Sequence, residues 1–490
     1  MGTYNKNVEL IRDTDYPQLK NSTYLDHAGT TIPAKSSLDS FARDMSTNIW
    51  GNPHSHSTPS REAGHRIDEV RLKLLHFFNA SPEDYDIVFV ANASAAIKLV
   101  GEIFRDYADG QSKGKKKNSS FWFGYHRDSH NSVVGVREFT NGNFRWFAND
   151  AEVDAWIQYP TGKSSHTQEI SQANLAQTEP TKIDQLGLFA WPGQSNMTGR
   201  RLPLTWAKRI HDNNRNTYSL LDASALCTTS PLYIDLWQPD FTCLSFYKIF
   251  GFPNLGALII KKTMKHLLKH RKYFAGGTVD MVIPETSGAW HAKRENIHEL
   301  LEEGTVAFTS IFAVEHALNT HAILYGSMTD ISLHTTYLTN YCYNAMHSLT
   351  HTNGTPVCII YNELGTIWDD PKLQGGTIAF SVLRANGISV GYVEVEQAAD
   401  AANVYIRSGS LCNPGGIAIY LGWTPQDLRS AYAAGHRCSK PLESTDGRPI
   451  GVVRVSFGSC TTKADIDALI AFLTKTYIEP HSRHDNFEIE

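Results

Sequence analysis

The sequence predicts an α/β chain built on a largely parallel sheet, and three observations predict it. Short apolar runs alternate with amphipathic or polar stretches from residue 59 onward, the pattern of strands joined by crossover helices. A lone acid, Asp222, ends one apolar run, and a lone Lys248 follows another 26 residues later, where the ends of such strands gather ligands. The 490 residues, 41% apolar and 19% charged, suffice for two or three domains with a sizeable core.

From 59 to 80, Ile67, Val70, Leu74 and Phe77 recur at helical spacing with a charged outer face, which predicts an amphipathic helix. A short strand follows at 86–90. Small polar residues at 91–95 then lead into a good helix-forming stretch, so this loop presents backbone N–H groups at a helix N-terminus, an anion site. Apolar runs at 121–123, 186–191, 218–221, 241–246 and 256–260 read as further strands, with a helix-like stretch at 204–213. Four lysines within 113–117 read as a solvated loop, and 160–182, rich in Ser, Gln, Thr and His, as a surface excursion. A mixed apolar helix at 310–325 bridges to a second domain, with strands at 357–361, 376–382, 403–408 and 452–457 and a closing helix at 465–476. The polar tail 481–490 reads as disordered or a linker.

Composition excludes several classes. A formal net charge of −5 supplies no bulk attraction for nucleic acid or anionic lipid, so small molecules or other proteins are the expected partners. No run of about 18 apolar residues and no signal-like start are seen, which makes the cytosol the default compartment. Cys227, Cys243, Cys342, Cys358, Cys412, Cys438 and Cys460 are odd in number and widely spaced, without a CxxC pair. They read as free thiols rather than a disulfide framework or a zinc site.

Two centres carry chemistry. Lys248 in a turn rich in Gly and Pro can form a Schiff base with pyridoxal phosphate, and Asp222 stands where a partner for the protonated pyridine nitrogen is needed. Cys412 lies among Gly, Asn and Pro that prevent regular structure, so its sulfur can be mobile and solvent-accessible. Cys243 and Cys358, set in apolar runs, read as buried small hydrophobes. A few per cent of an ordinary thiol is thiolate at neutral pH, already a strong nucleophile.

Lys248 in SFYKIFGFPNLG, Asp222 in LLDAS, Cys412 in RSGSLCNPGG, GGTV at 276–279, EEGT at 302–305 and VVRVSFGSCTTKADID at 452–467 together resemble the class V aminotransferase superfamily. More narrowly, YLDHAGTTIP at 24–33, GNPHSHS at 51–57 and QSNMTGRRLPL at 194–204 are similar to the N-terminal, cysteine-desulfurase-like domain of eukaryotic molybdenum cofactor sulfurases. The likeness runs from about Tyr24 to Thr476, without the C-terminal MOSC domain such sulfurases carry.

The resemblance implies the pyridoxal-phosphate-dependent transferase fold type I. Its large domain, with a mostly parallel seven-stranded sheet, would span 24–320, and a smaller α+β domain would take 1–23 and 321–480. A homodimer would hold active sites between large and small domains. Lys248 would carry the cofactor, Asp222 would keep its pyridine nitrogen protonated, and His130 would stack on its ring. Asn92, Ala93 and Ser94 would bind the phosphate with Ser245 nearby, and Thr278 would come from the partner subunit. Asn196 would lie beside the phenolic oxygen, and Arg454 would clamp the substrate carboxylate with its guanidinium fork. The implied activity is a cysteine desulfurase: Lys248 as base and acid on L-cysteine, Cys412 attacking the substrate sulfur to become a persulfide, and L-alanine leaving. The acceptor would be the molybdenum cofactor or a MOSC-type domain. Tyr247 stands where iron–sulfur desulfurases usually have histidine, and Ser224 or Ala225 where they place a glutamine; both are compatible with the molybdenum-cofactor branch. Two alternatives stay open, a selenocysteine lyase or iron–sulfur desulfurase, and an inactive cofactor-binding interaction module.

Overall fold

The computed structural model describes residues 1–111, 120–159, 185–213, 216–437, 440, 442–445 and 448–478. The lysine-rich loop at 113–117, the whole 160–182 excursion, the 481–490 tail and Cys438 lie outside the described residues.

The first strand, β1 (Thr23–Tyr24), pairs in parallel with Val404–Tyr405, far along the chain. The next seven strands form one sheet: β2 (Tyr85–Val90), β3 (Trp122–His126), β4 (Phe144–Phe147), β5 (Gly187–Pro192), β6 (Thr217–Asp222), β7 (Phe241–Ser245) and β8 (Gly256–Lys261). Their order is β2-β8-β7-β6-β5-β3-β4. Only β8 runs against its neighbours, so the sheet is mostly parallel. Both faces are covered, which is why these strands read as continuous apolar runs. Successive side chains alternate between two cores: Trp122, Phe189, Trp191, Leu221, Leu244 and Ile259 enter one, and Phe123, Leu188, Ala190, Leu220, Cys243 and Leu258 the other. Each fully buried Leu or Phe contributes roughly 1.5–3 kcal/mol.

The first core is closed by the helices Thr58–Phe77 and Phe308–Tyr325, the second by Ala93–Gln111. Pro59 opens the first of these helices at its first turn, where its missing N–H is not needed. An antiparallel hairpin follows, β9 (Val279–Ile283) with β10 (Trp290–Lys293). Its Met281 and Trp290 are 60% and 53% exposed.

The second sheet is antiparallel. β11 (Cys358–Tyr361), β12 (Thr377–Val382), β14 (Arg407–Gly409) and β17 (Val452–Ser456) lie in the order β11-β12-β17-β14. β13 is the Val404–Tyr405 partner of β1, and β15 (Ser444–Thr445) pairs with β16 (Arg448–Pro449). The run expected as one strand at 403–408 is therefore two, because Val404–Tyr405 bonds β1 while Arg407–Gly409 bonds β17.

The closing helix starts two residues before its expected position, at Lys463, because Thr462 and Asp465 form a capping box. It gives way at Thr474 to a π turn. β4 was not expected; it is an edge strand of mixed burial with weak apolar periodicity. Among the described residues no helix is long and apolar enough to cross a membrane.

Candidate active site

The C-terminal ends of the parallel strands converge on one cleft of about 550 Å³. Asp222 is the last residue of β6, Ser245 the last of β7 and Pro192 the last of β5. Asn92, Ala93 and Ser94 follow β2, and Asp128 and His130 follow β3. Lys248 sits in a four-residue helix, Tyr247–Phe250, just past β7. All the site residues just named, Lys248 included, line the cleft, with Ser132, Gln194, Asn196, Ser224, Ala225 and Tyr247.

The Asn92–Ser94 loop is built for an anion. Asn92 Oδ1 accepts the Ala95 N–H at 3.0 Å and so starts a 19-residue helix, whose N-terminal dipole faces the cleft. The Ala93 N–H donates to Ser245 Oγ at 2.9 Å, fastening the loop to β7. Ser94 Oγ meets Ser132 Oγ at 2.5 Å. Gly256, opposite Ser245 on β8, allows the close approach: a Cβ there would lie 2.6 Å from Asn92 Cα.

On the facing wall, Asp222 Oδ1 accepts the Ser224 N–H at 3.0 Å. Ser224 Oγ is buried on that wall with no partner, a polar atom left for a ligand. The Ser132 N–H donates to His130 Nδ1 at 3.1 Å, which places the proton of the neutral ring on Nε2. Burial pushes the His130 pKa down, Asp222 opposes that and Lys248 adds to it.

Cys412 is the exposed one among the six described cysteines. Burial pushes Cys227, Cys358 and Cys460 up to about 12 and raises Cys243 and Cys342 as well, so those five stay protonated. Leu411 and Cys412 hold consecutive left-handed backbones, φ 54° and 53°. Such conformations cost on the order of 1–3 kcal/mol each and persist where surroundings impose them. Here the cleft wall imposes them: Asn196 Nδ2 donates to Leu411 O at 2.7 Å, and the Asn131 N–H donates to Cys412 O at 3.0 Å. The backbone of the expected mobile segment is thus docked on the rim, with the residue itself open to solvent.

Arg454 on β17 is 2% exposed and stands behind Asn196 rather than on the cleft surface. Its Nη1 donates to Asn196 O at 2.9 Å and its Nη2 pairs with Asp26 Oδ1 at 2.5 Å, while Nε has no partner. Arg407, directly opposite on β14, lies 3.7 Å from the other oxygen of Asp26. Thr278 is in a turn, its Oγ1 accepting from the Ala275 N–H and donating to Ala275 O, and does not line this chain's cleft.

Lys248, Asp222, His130, Asn92, Ala93, Ser94, Asn196 and Ser245 therefore come together, Cys412 joins them at the rim, and Arg454 and Thr278 lie outside the lining. Sequence reasoning passed over Asp128 and Gln194 as site residues. Their signal was proximity: Asp128 is two residues before His130, and Gln194 two before Asn196.

The family described as Aminotransferase class-V matches residues 23–115 and 163–419. A protein named molybdenum cofactor sulfurase from Aspergillus terreus is 45% identical over 481 residues, covering 97% of this chain and 55% of its own length. The chain spans about half the length of the curated relatives it matches. Among solved structures, an apo cysteine desulfurase from Thermococcus onnurineus NA1 superposes with a TM-score of 0.69 at 16% identity, covering 97% of this chain and 99% of that one. A cysteine desulfurase from Escherichia coli gives 0.68 at 16%, covering 96% and 98%. The chain belongs to the class-V aminotransferase family, and its fold is the one these desulfurases share.

Proposed function

We propose that this class-V aminotransferase family member is a pyridoxal-phosphate-dependent cysteine desulfurase that loads sulfur from L-cysteine onto Cys412 for sulfuration of the molybdenum cofactor. The observation that carries the proposal is one cleft that joins Lys248, Asp222 and the Asn92–Ser94 loop, with the Cys412 backbone bonded to its wall. The cleft suits the cofactor: a helix N-terminus for its phosphate, a carboxylate for its ring nitrogen, an amine for its aldehyde and the unpartnered Ser224 Oγ for a further polar contact. When bound, pyridoxal phosphate supplies an electron sink for charge developing at the substrate Cα.

The protein's own groups do the rest. Lys248 Nζ holds the cofactor and then moves the proton at the substrate Cα. The Asp222 carboxylate would keep the ring nitrogen protonated, and His130, whose Nδ1 is held by the Ser132 N–H, would stack on the ring. Arg454 would receive the substrate carboxylate only by leaving its place behind Asn196, where Nη1 donates to Asn196 O and Nη2 pairs with Asp26. The Cys412 thiolate forms a bond to the substrate sulfur as the substrate's carbon–sulfur bond breaks. In balance, L-cysteine and a thiol become L-alanine and a persulfide. Holding both sulfurs in place contributes much of the rate, since oriented intramolecular reactions reach effective molarities of roughly 10⁵–10⁸ M.

The proposal extends to a cytosolic homodimer. Met281, Val282, Ile283 and Trp290 stand exposed on a hairpin just after Thr278, which supports a Thr278 reaching the partner's cleft. It also extends to a division into 24–320 and 1–23 with 321–480. Arg12 makes a two-pronged bond to Asp465 at 2.6 and 2.8 Å, and β1 bonds β13, which supports placing the N-terminal segment with the second domain.

The test is mass spectrometry of the cofactor-loaded protein after L-cysteine. We expect one added sulfur atom on the Cys412 peptide, reversed by reductant, with L-alanine released. In Cys412→Ser, sulfur and turnover should vanish while cofactor absorbance stays. Bound cofactor without alanine above background would overturn the reading in favour of an inactive binding module.

A further inference from the structure

Asn413 is wholly buried directly after the exposed Cys412 and uses every hydrogen-bonding group of its side chain. Its Oδ1 accepts the Gly416 N–H at 2.9 Å, capping the helix Pro414–Tyr420. Its Nδ2 donates to Asp128 O at 3.2 Å and to Asn196 Oδ1 at 3.0 Å. A backbone N–H can only donate, so Gly416 dictates which way the Asn413 amide faces. With its NH₂ turned to Asn196, the Asn196 oxygen must face Asn413, and the Asn196 NH₂ is left pointing at Leu411 O. Each amide orients the next, from a helix cap to the carbonyl just before the thiol.

We infer that Asn413 is a positioning residue that sets the place of Cys412 by orienting Asn196, which in turn holds the left-handed Leu411–Cys412 backbone against the cleft. Asp128 and Asn196 both line the cleft, so the same two bonds tie the thiol's segment to the walls of the substrate's site. The inference rests on Cys412 being the sulfur-accepting thiol. It adds that Asn413, through Asn196, fixes the Leu411 end of the segment beside the Asn131 N–H that holds Cys412 O, so the geometry does not come from loop composition alone.

Asn413→Asp keeps the capping oxygen and removes both donors. The Asn196 amide is then free to turn toward the new carboxylate and release Leu411 O. Asn413→Ser keeps a capping oxygen without added charge and separates the loss of donors from repulsion. In the cofactor-loaded protein we expect amide hydrogen exchange across 410–413 and alkylation of Cys412 by iodoacetamide to rise about tenfold in both variants. The turnover kcat for L-cysteine should fall by roughly 10- to 100-fold, with KM and cofactor absorbance unchanged. Exchange and kcat equal to the unsubstituted protein would overturn the inference. So would a loss of cofactor and a raised KM with exchange unchanged, which marks a role in the pocket instead. Exchange and alkylation do not require turnover. If the unsubstituted protein gains no sulfur on Cys412, the desulfurase reading fails while these readouts still decide the role of Asn413.

Discussion

The floor of the cleft and its rim are held by different physics. On the floor, Asp222, Ser245 and the Asn92–Ser94 loop take their places from adjacent strands whose backbone registers lock together over three to six residue pairs. On the rim, Leu411 and Cys412 adopt a backbone that L-residues disfavour, and a few separate bonds hold them: the Asn196 and Asn413 amides and the Asn131 N–H, with Arg454 on Asp26 behind. On the proposed function, the cofactor would need an unchanging seat, whereas a thiol that receives and passes on sulfur would need a geometry that a few bonds can make and release.

The largest expected effect separates the two regions outright. Lys248→Ala should lower turnover by at least 10²–10⁴-fold through lost proton transfer, and borohydride should no longer trap cofactor on the protein. Hydrogen exchange at 410–413 should not change; if it rises with that variant, the rim depends on the floor and the distinction breaks.

Acid should act on the other side. Burial pushes His27, His321 and His334 down to about 4. Their folded-state values lie below the ordinary 6.5, so their neutral forms favour folding, fully above about pH 6.5 and progressively less as pH falls toward 4. Each is worth on the order of 3 kcal/mol when fully expressed. His27 and His334 join the N-terminal segment to the turn after β17, through Thr461. Hydrogen exchange at pH 5 should therefore rise in 1–31, 452–473 and the His321 helix, 308–325, before it rises in β2–β8. Simultaneous loosening of the seven-stranded sheet would contradict this.

The smallest effect probes the floor itself. In Gly256→Ala the new Cβ meets the backbone of Asn92 and Leu244, and overpacking of this kind costs about 1–3 kcal/mol. We expect a lower Tm and weaker cofactor retention with the rim's exchange unaltered. An unchanged Tm would show the Asn92 loop to be more compliant than its bonds to β7 suggest.

The floor was legible in the sequence because its parts are local. An apolar run ending in a lone acid, a lysine in a Gly and Pro turn and small polar residues before a helix each announce themselves within ten residues, and strand alternation brings their ends together. The rim was not. The 403–408 run splits between two sheets because of partners at 23–24 and 452–454. Nothing near Arg454 in sequence announces that its Nη1 is taken by Asn196 O and its Nη2 by Asp26. Asn413 looked like a loop residue beside a proline.

By itself the sequence determined the α/β class and the mostly parallel sheet, and it singled out the lysine, acid and thiol on which the proposed function rests, since periodicity and strand-end chemistry are short-range properties. Only the tertiary structure decided how the thiol is held, because Asn413 reaches Asp128 and Asn196, and Arg454 reaches Asp26, across more than 200 residues of chain. Contacts of that separation depend on how the two sheets pack, which no local pattern encodes.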